Sequence, residues 1–272
     1  MSLRWIVLLL AFTQPATALA GDLKPETVAA FNRYVTLSET RIEKQVSDPA
    51  AFLYINTLPA AERDRAFASL KRGEIYIAPM VTLDPSGRTI DVPQGLVHHW
   101  VGAVFVPGVS MEGTLKVMED YDHKSDAYPE VTRSRLLRRD GDHIQAFMRL
   151  HQHHVVTVTL DAEFDVHYVE VDPRHWYALS HSTSVRQVQN PGKPDERVLP
   201  EGQGDGFLWQ LDSYWQYLEQ DGGVYVELEA ISLTRDVPSG LGWLVKPFIT
   251  SVPRESLQST LESTRKTVLR RQ

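Results

Sequence analysis

The eighteen-residue stretch from Pro253 to Arg270 constrains this chain most, because it reads as one long helix closing a sequence that otherwise alternates like strands. Pro253 suits a first helical turn, where its missing N–H would have no partner, and Glu255 favours the positive end of the helix. Arg265, Lys266 and Arg270 favour the negative end. Leu257, Leu261, Thr264 and Val268 recur at helical spacing and give a narrow apolar face, interrupted by a threonine able to meet a polar neighbour. Such a face needs a partner. A curved antiparallel sheet wrapped around one C-terminal helix is the simplest way to bury it, so the expected class is α+β, with space for a cavity beneath the helix.

Upstream, Lys24 to Val46 carries a helical stripe of Val28, Phe31, Tyr34 and Val35, and a second helix is predicted from Pro59 to Leu70, ended by Gly73. A short strand, Glu74 to Ala78, and a turn at Asp84-Pro85-Ser86-Gly87 follow. The predicted division is residues 1–20 as a leader, 21–92 as an N-terminal helical segment touching the rest by surface contacts only, and 93–272 as the main domain. Within the latter, strands are expected at Val97 to Val106, Glu130 to Arg138, His143 to His153, Val155 to Val171 and Trp176 to Gln189, with a helix from Met111.

Two Asp-Gly dipeptides set hairpin registers. With Asp221-Gly222 as a turn, Tyr217 pairs with Val226 and Trp215 with Leu228, which places Trp209, Trp215, Tyr217 and Leu228 on the concave side. The opposite face carries Gln216, Glu227, Tyr214 and Glu229, and its polarity reads as solvent-facing. At Asp140-Gly141 two registers are open. A two-residue loop sets Arg133 beside Met148 and Arg135 beside Ala146 on the concave face, as anchors for an anionic ligand group. A three-residue loop puts Ser134 and Leu136 there and turns both arginines to water.

The order of elements, with Tyr128-Pro129-Glu130-Val131, Asp140-Gly141-Asp142 and Pro247-Phe248 leading into Pro253-Arg254-Glu255-Ser256-Leu257, resembles the START-like, or helix-grip, superfamily. That group includes lipid-transfer domains, plant allergens and polyketide cyclases. The resemblance spans about Pro93 to Arg270 and implies a hydrophobic or amphipathic ligand held between sheet and terminal helix. Ligand-lining residues are then expected at Arg133, Arg135, Met148, Trp209, Trp215, Tyr217, Leu228, Leu257 and Leu261. Trp243 and Phe248 join them within the apolar, glycine-flanked segment Gly240 to Ile249. That segment reads as a plug on the core or as a gate, with transient membrane contact beside Lys246 as a further role.

Other chemistries find little support. His151-x-His153-His154 lacks further ligands at metal spacing, so no metal is expected, and Glu227-x-Glu229 reads as a wet face rather than an acid/base pair. No G-x-S-x-G elbow exists, and Gly202-Gln203-Gly204-Asp205-Gly206 neither follows a parallel strand nor opens a helix, so neither a catalytic residue nor a cofactor is assigned. A net charge of −7 argues against nucleic acid, and the absence of cysteine excludes disulfides and thiolate chemistry. The expected function is binding of a lipid-like small molecule. The alternatives are a cyclase- or hydrolase-type enzyme on the same fold, or an interaction module with a filled core.

Arg4, the apolar run Trp5 to Phe12 and the small-residue site Ala18-Leu19-Ala20 form a secretory signal, implying a periplasmic or secreted protein. The run is well short of the ~20 residues that span a bilayer. Exported protein should therefore begin at Gly21. Intact mass of the exported chain checks this, and retention of residues 1–20 would overturn it.

Overall fold

The computed structural model describes residues 22–153, 157–236 and 242–271, with side chains described for all of these except 242–250. The predicted leader and His154 lie outside the described residues, as do the side chains of Trp243 and Phe248. The chain runs α1 (Pro25–Val46), a 3₁₀ turn (Tyr54–Thr57), α2 (Ala60–Lys71), β1 (Tyr76–Pro79), β2 (Gly95–Pro107) and α3 (Met111–Met118). After α4 (Lys124–Ala127) come β3 (Val131–Asp140), β4 (His143–His153), β5 (Thr157–Asp172), β6 (His175–Gln189) and β7 (Arg197–Val198). Then follow β8 (Gln210–Gln220), β9 (Gly223–Arg235) and α5 (Gly242–Arg270). The strands form one open antiparallel sheet in the order β1-β2-β9-β8-β6-β5-β4-β3, with β7 added on β6.

Local chemistry sets both hairpins. Asp221 and Gly222 take φ values of 58° and 75°, the left-handed pair of a tight hairpin turn, and the β8/β9 register matches the expected one, Tyr217 opposite Val226 and Trp215 opposite Leu228. In the β3/β4 hairpin the glycine comes first in the loop: Gly141, at φ 59°, and Asp142 join Asp140 to its partner His143. A register shift between Leu136 and Arg138 then brings Leu136 opposite Ala146 and Ser134 opposite Met148. The face assignment is that of the three-residue loop, reached instead by a two-residue turn and a bulge at Leu137.

α5 begins at Gly242, earlier than Pro253, so the segment read as plug or gate is helical from residue 242. Its predicted face is buried, with Leu257, Leu261, Thr264 and Val268 all at 4% exposure or less, against Val104, Val226 and Leu228 of the inner sheet face. Gly102 permits this approach: a Cβ there would stand 2.7 Å from Leu261 Cδ1 and 2.9 Å from the Tyr76 carbonyl oxygen.

The outer face is also covered. Phe31, Tyr34, Val35 and Ile42 of α1, with Phe52, Leu53, Ile55 and Leu70, pack on Phe105, Tyr214, Tyr225, Ile231 and Leu233. The segment expected to make surface contacts only is thus half of a second core. Phe31, Ile42, Phe52, Leu53, Ile55 and Leu70 are each at 2% exposure or less. At ~1.5–3 kcal/mol per fully buried side chain they contribute on the order of 10 kcal/mol, comparable with the whole net stability of a domain. A chain starting near Asp91 should therefore lose cooperative thermal unfolding and aggregate, as circular dichroism on heating would show. A single retained transition would contradict the two-core arrangement.

Candidate functional site

The inner face has two zones. In the first, toward α3 and α4, packing is complete: Ile144, Ala146, Phe164, Val166, Tyr168, Ala178 and Tyr217 are buried. Tyr168 donates to the Met118 carbonyl at 3.1 Å and meets the Tyr121 hydroxyl at 3.3 Å, while Tyr128 meets Thr264 at 3.0 Å. Lys124 is buried here, donating to the carbonyls of Val117 and Met118 and lying 4.8 Å from the Tyr121 ring centroid. It closes the C-terminal end of α3, and burial pushes its ammonium down to about 7.

The second zone is built differently. Ser180, Ser213 and Ala230 stand in register across β6, β8 and β9, in line with Trp100 of β2. Small side chains on three neighbouring strands withdraw volume from the middle of the face. Beside them Trp100, Leu211 and Trp215 remain half-buried, as do Met148 and Leu150 farther along the face on β4, while the row itself runs on into the buried Val166 and Ile144. Trp215 lies parallel to Tyr217, with centroids 6.4 Å apart, and the Ser182 hydroxyl accepts from Leu211 N–H at 2.9 Å. The result is an apolar, serine-floored band on the face that α5 covers.

The outer face holds the principal correction. Glu227 and Glu229, expected in solvent, are each 1% exposed because α1 and the 3₁₀ turn lie over them. Glu229 accepts from His99 Nε2 at 2.7 Å and from the Arg41 guanidinium. Thr82 N–H donates to the Tyr34 hydroxyl at 2.8 Å, and that hydroxyl lies 2.9 Å from His99 Nδ1, a network that assigns the imidazole proton to Nε2. Burial alone would raise the Glu229 carboxyl, but His99 and Arg41 outweigh it and hold the group below its ordinary value. Glu227 accepts from Tyr54 N–H at 2.6 Å, and burial with the neighbouring Glu229 charge pushes it up to about 8.

Of the residues singled out in the sequence, Met148, Trp215, Tyr217, Leu228, Leu257 and Leu261 converge on the inner face. Trp209 does not. It precedes β8, where alternation has not begun, and its ring joins the outer core while Leu208 turns inward. Arg133 and Arg135 are exposed, outside the inner face, because the Leu137 bulge shifts register by one residue. His151 and His153 each meet a threonine hydroxyl, Thr159 and Thr157, and among the described residues no three His, Asp or Glu side chains form a metal-holding group. The hairpin registers read from the sequence already set Ser213 opposite Ala230 and Leu150 on the inner face, but the sequence reading named neither these nor Trp100, Ser180 and Leu211 as lining residues. It also missed the His99–Glu229 pair, whose partners lie on strands distant in sequence.

These shifts set the sign of pH effects. Glu227, raised from 4.5 to about 8, contributes stability that is complete below 4.5 and is lost as pH rises through about 8. Glu229, lowered, contributes stability present above its unfolded value and lost as pH falls through its depressed one. Glu227→Gln should therefore flatten the decline in melting temperature between mildly acidic and alkaline pH, raising it by several degrees at the alkaline end. Parallel melting curves of the two proteins across that range would refute this.

No protein-family model and no curated protein matches the sequence. Among solved structures, the chain is similar to a STAR-related lipid transfer protein fragment from Xanthomonas axonopodis, at 17% identity and a TM-score of 0.43, covering 64% of this chain and 96% of that one. It is similar to the Zhui aromatase/cyclase from a Streptomyces species at 12% identity and 0.42, covering 65% and 96%. Human STARD10 aligns at 10% identity and 0.44, covering 77% of this chain and 81% of that one. Among the described residues, an open antiparallel sheet of nine strands packs against a long C-terminal helix, an α+β helix-grip fold.

Proposed function

We propose that the protein binds a hydrophobic or amphipathic small molecule against the inner face, in the band floored by Ser180, Ser213 and Ala230. The observation that supports this reading is the contrast within one face. Near α3 the large side chains are buried, whereas Trp100, Leu211 and Trp215 beside the small-residue row, and Met148 and Leu150 farther along the face on β4, stay half-buried. Apolar walls with a few hydroxyls suit a ligand that is mostly hydrocarbon or aromatic, with few polar groups. The buried carboxylates are on the opposite face, separated from this band by the sheet, so they give it no acid/base chemistry. The leader supports export, and we place the binding function in the periplasm or outside the cell.

Filling the row tests the reading. Ser213→Trp should weaken binding of a fluorescent polyene fatty acid by at least about tenfold, through a steric clash with the ligand. Its melting temperature should stay equal or rise, because the new ring occupies unfilled space. If instead the variant is destabilised by about 1–3 kcal/mol, as overpacking of a full core predicts, and binding is unchanged, the row is filled core and the ligand site is elsewhere.

A further inference from the structure

The sheet ends on one side at β1, whose free edge faces α5 across a groove of about 780 Å³. Met80 N–H donates to the His99 carbonyl at 2.8 Å, and antiparallel bonding alternates. Ala78 and Tyr76 therefore bond toward β2, whereas Ile77 and, by continuation, Ile75 direct their N–H and C=O groups to the open edge. Pro79 has no N–H to offer, so a strand added there would be short. The edge is not polar in its side chains: Ile75 and Ile77 are half-buried, and Leu269 on the α5 wall is 43% exposed.

Charge distinguishes the occupants. Along α5, Arg254, Gln258, Glu262 and Lys266 recur every four residues and line the groove, while Arg265 crosses to the Gly73 carbonyl and closes one end. The two acids of the lining are already engaged: Glu74 with Arg72 at 2.9 Å, and Glu262 with the Gln258 amide at 2.9 Å. Among the described residues Arg254 and Lys266 have no acidic partner.

We infer that this groove takes a short extended acidic segment of a partner protein, added as a strand on β1, with the carboxylates of alternate residues, those paired with Ile75 and Ile77 on the α5 side of the sheet, meeting Arg254 and Lys266. Backbone bonds supply affinity in this mode and the cationic wall supplies selectivity. The site is distinct from the inner-face band, since it uses the flank of α5 beside β1 and includes none of Ser180, Ser213 and Ala230, although its floor, Ile75 and Ile77, packs against the inner core.

A labelled hexapeptide alternating glutamate and valine, titrated against the intact protein by fluorescence anisotropy, tests the inference. Saturable binding is expected, weakened at least about tenfold by the double variant Arg254→Glu, Lys266→Glu, and as much by N-methylating the glutamate amides, which are the ones that face β1. Both substituted positions are exposed or at the rim, so the melting temperature should not move. No saturable binding up to about 1 mM overturns the inference. Insensitivity to the charge reversal, or to N-methylation, overturns it too. Binding of phosphatidylglycerol vesicles that the double variant loses, without peptide binding, would assign the cations to a lipid surface and likewise refute it.

Discussion

The ion pair of Glu229 with Arg41, completed by His99, is the contact on which the arrangement of this protein depends. β9 lies in the middle of the sheet and is buried on both faces, so its outward carboxylates have no access to water. Glu229 stays charged because a guanidinium from α1 and an imidazole from β2 reach it, and removing either partner from such a buried group costs several kcal/mol. Glu227, two residues earlier, takes the other route and is held toward its neutral form. Tyr34 and Arg41, seven residues apart on one face of α1, and the backbone of Tyr54 must all land in register with β2 and β9. A greasy helix could slide along an apolar sheet. These polar bonds specify one placement.

On the inner face, α5 is brought close by the missing side chain at Gly102. Close approach at Leu261 and full packing near α3 fix the C-terminal half of the helix. The row of Ser180, Ser213 and Ala230 withdraws volume from another part of the same face. One sheet thereby combines a tightly packed anchor with a band of small side chains.

The two ends of the sheet are protected unequally. At β3 the backbone of Leu136 is engaged by Asp122, and Ser134 accepts from Ser125 N–H, while Arg133, Arg135 and Arg138 are exposed. Charge and local cover discourage unspecific pairing there. β1 is protected by shortness and by Pro79, leaving a small open edge beside a cationic helix wall.

By itself the sequence determined whatever depends on neighbours along the chain. Helical spacing marks α1 and the buried face of α5, down to Thr264 meeting the Tyr128 hydroxyl, and Asp221-Gly222 sets the β8/β9 register through the positive φ that its turn requires. Most of the inner-face residues follow from that register. Only the tertiary structure decided what covers each face. Alternation shows that Glu227 and Glu229 share a side with Gln216 and Tyr214, but a strand does not encode whether water or a helix from nearly two hundred residues earlier lies over it. The Leu137 bulge is a similar case. One extra residue reverses the side on which Arg133 and Arg135 emerge, and its cost is too small for the local sequence to specify without the strand that it must pair with.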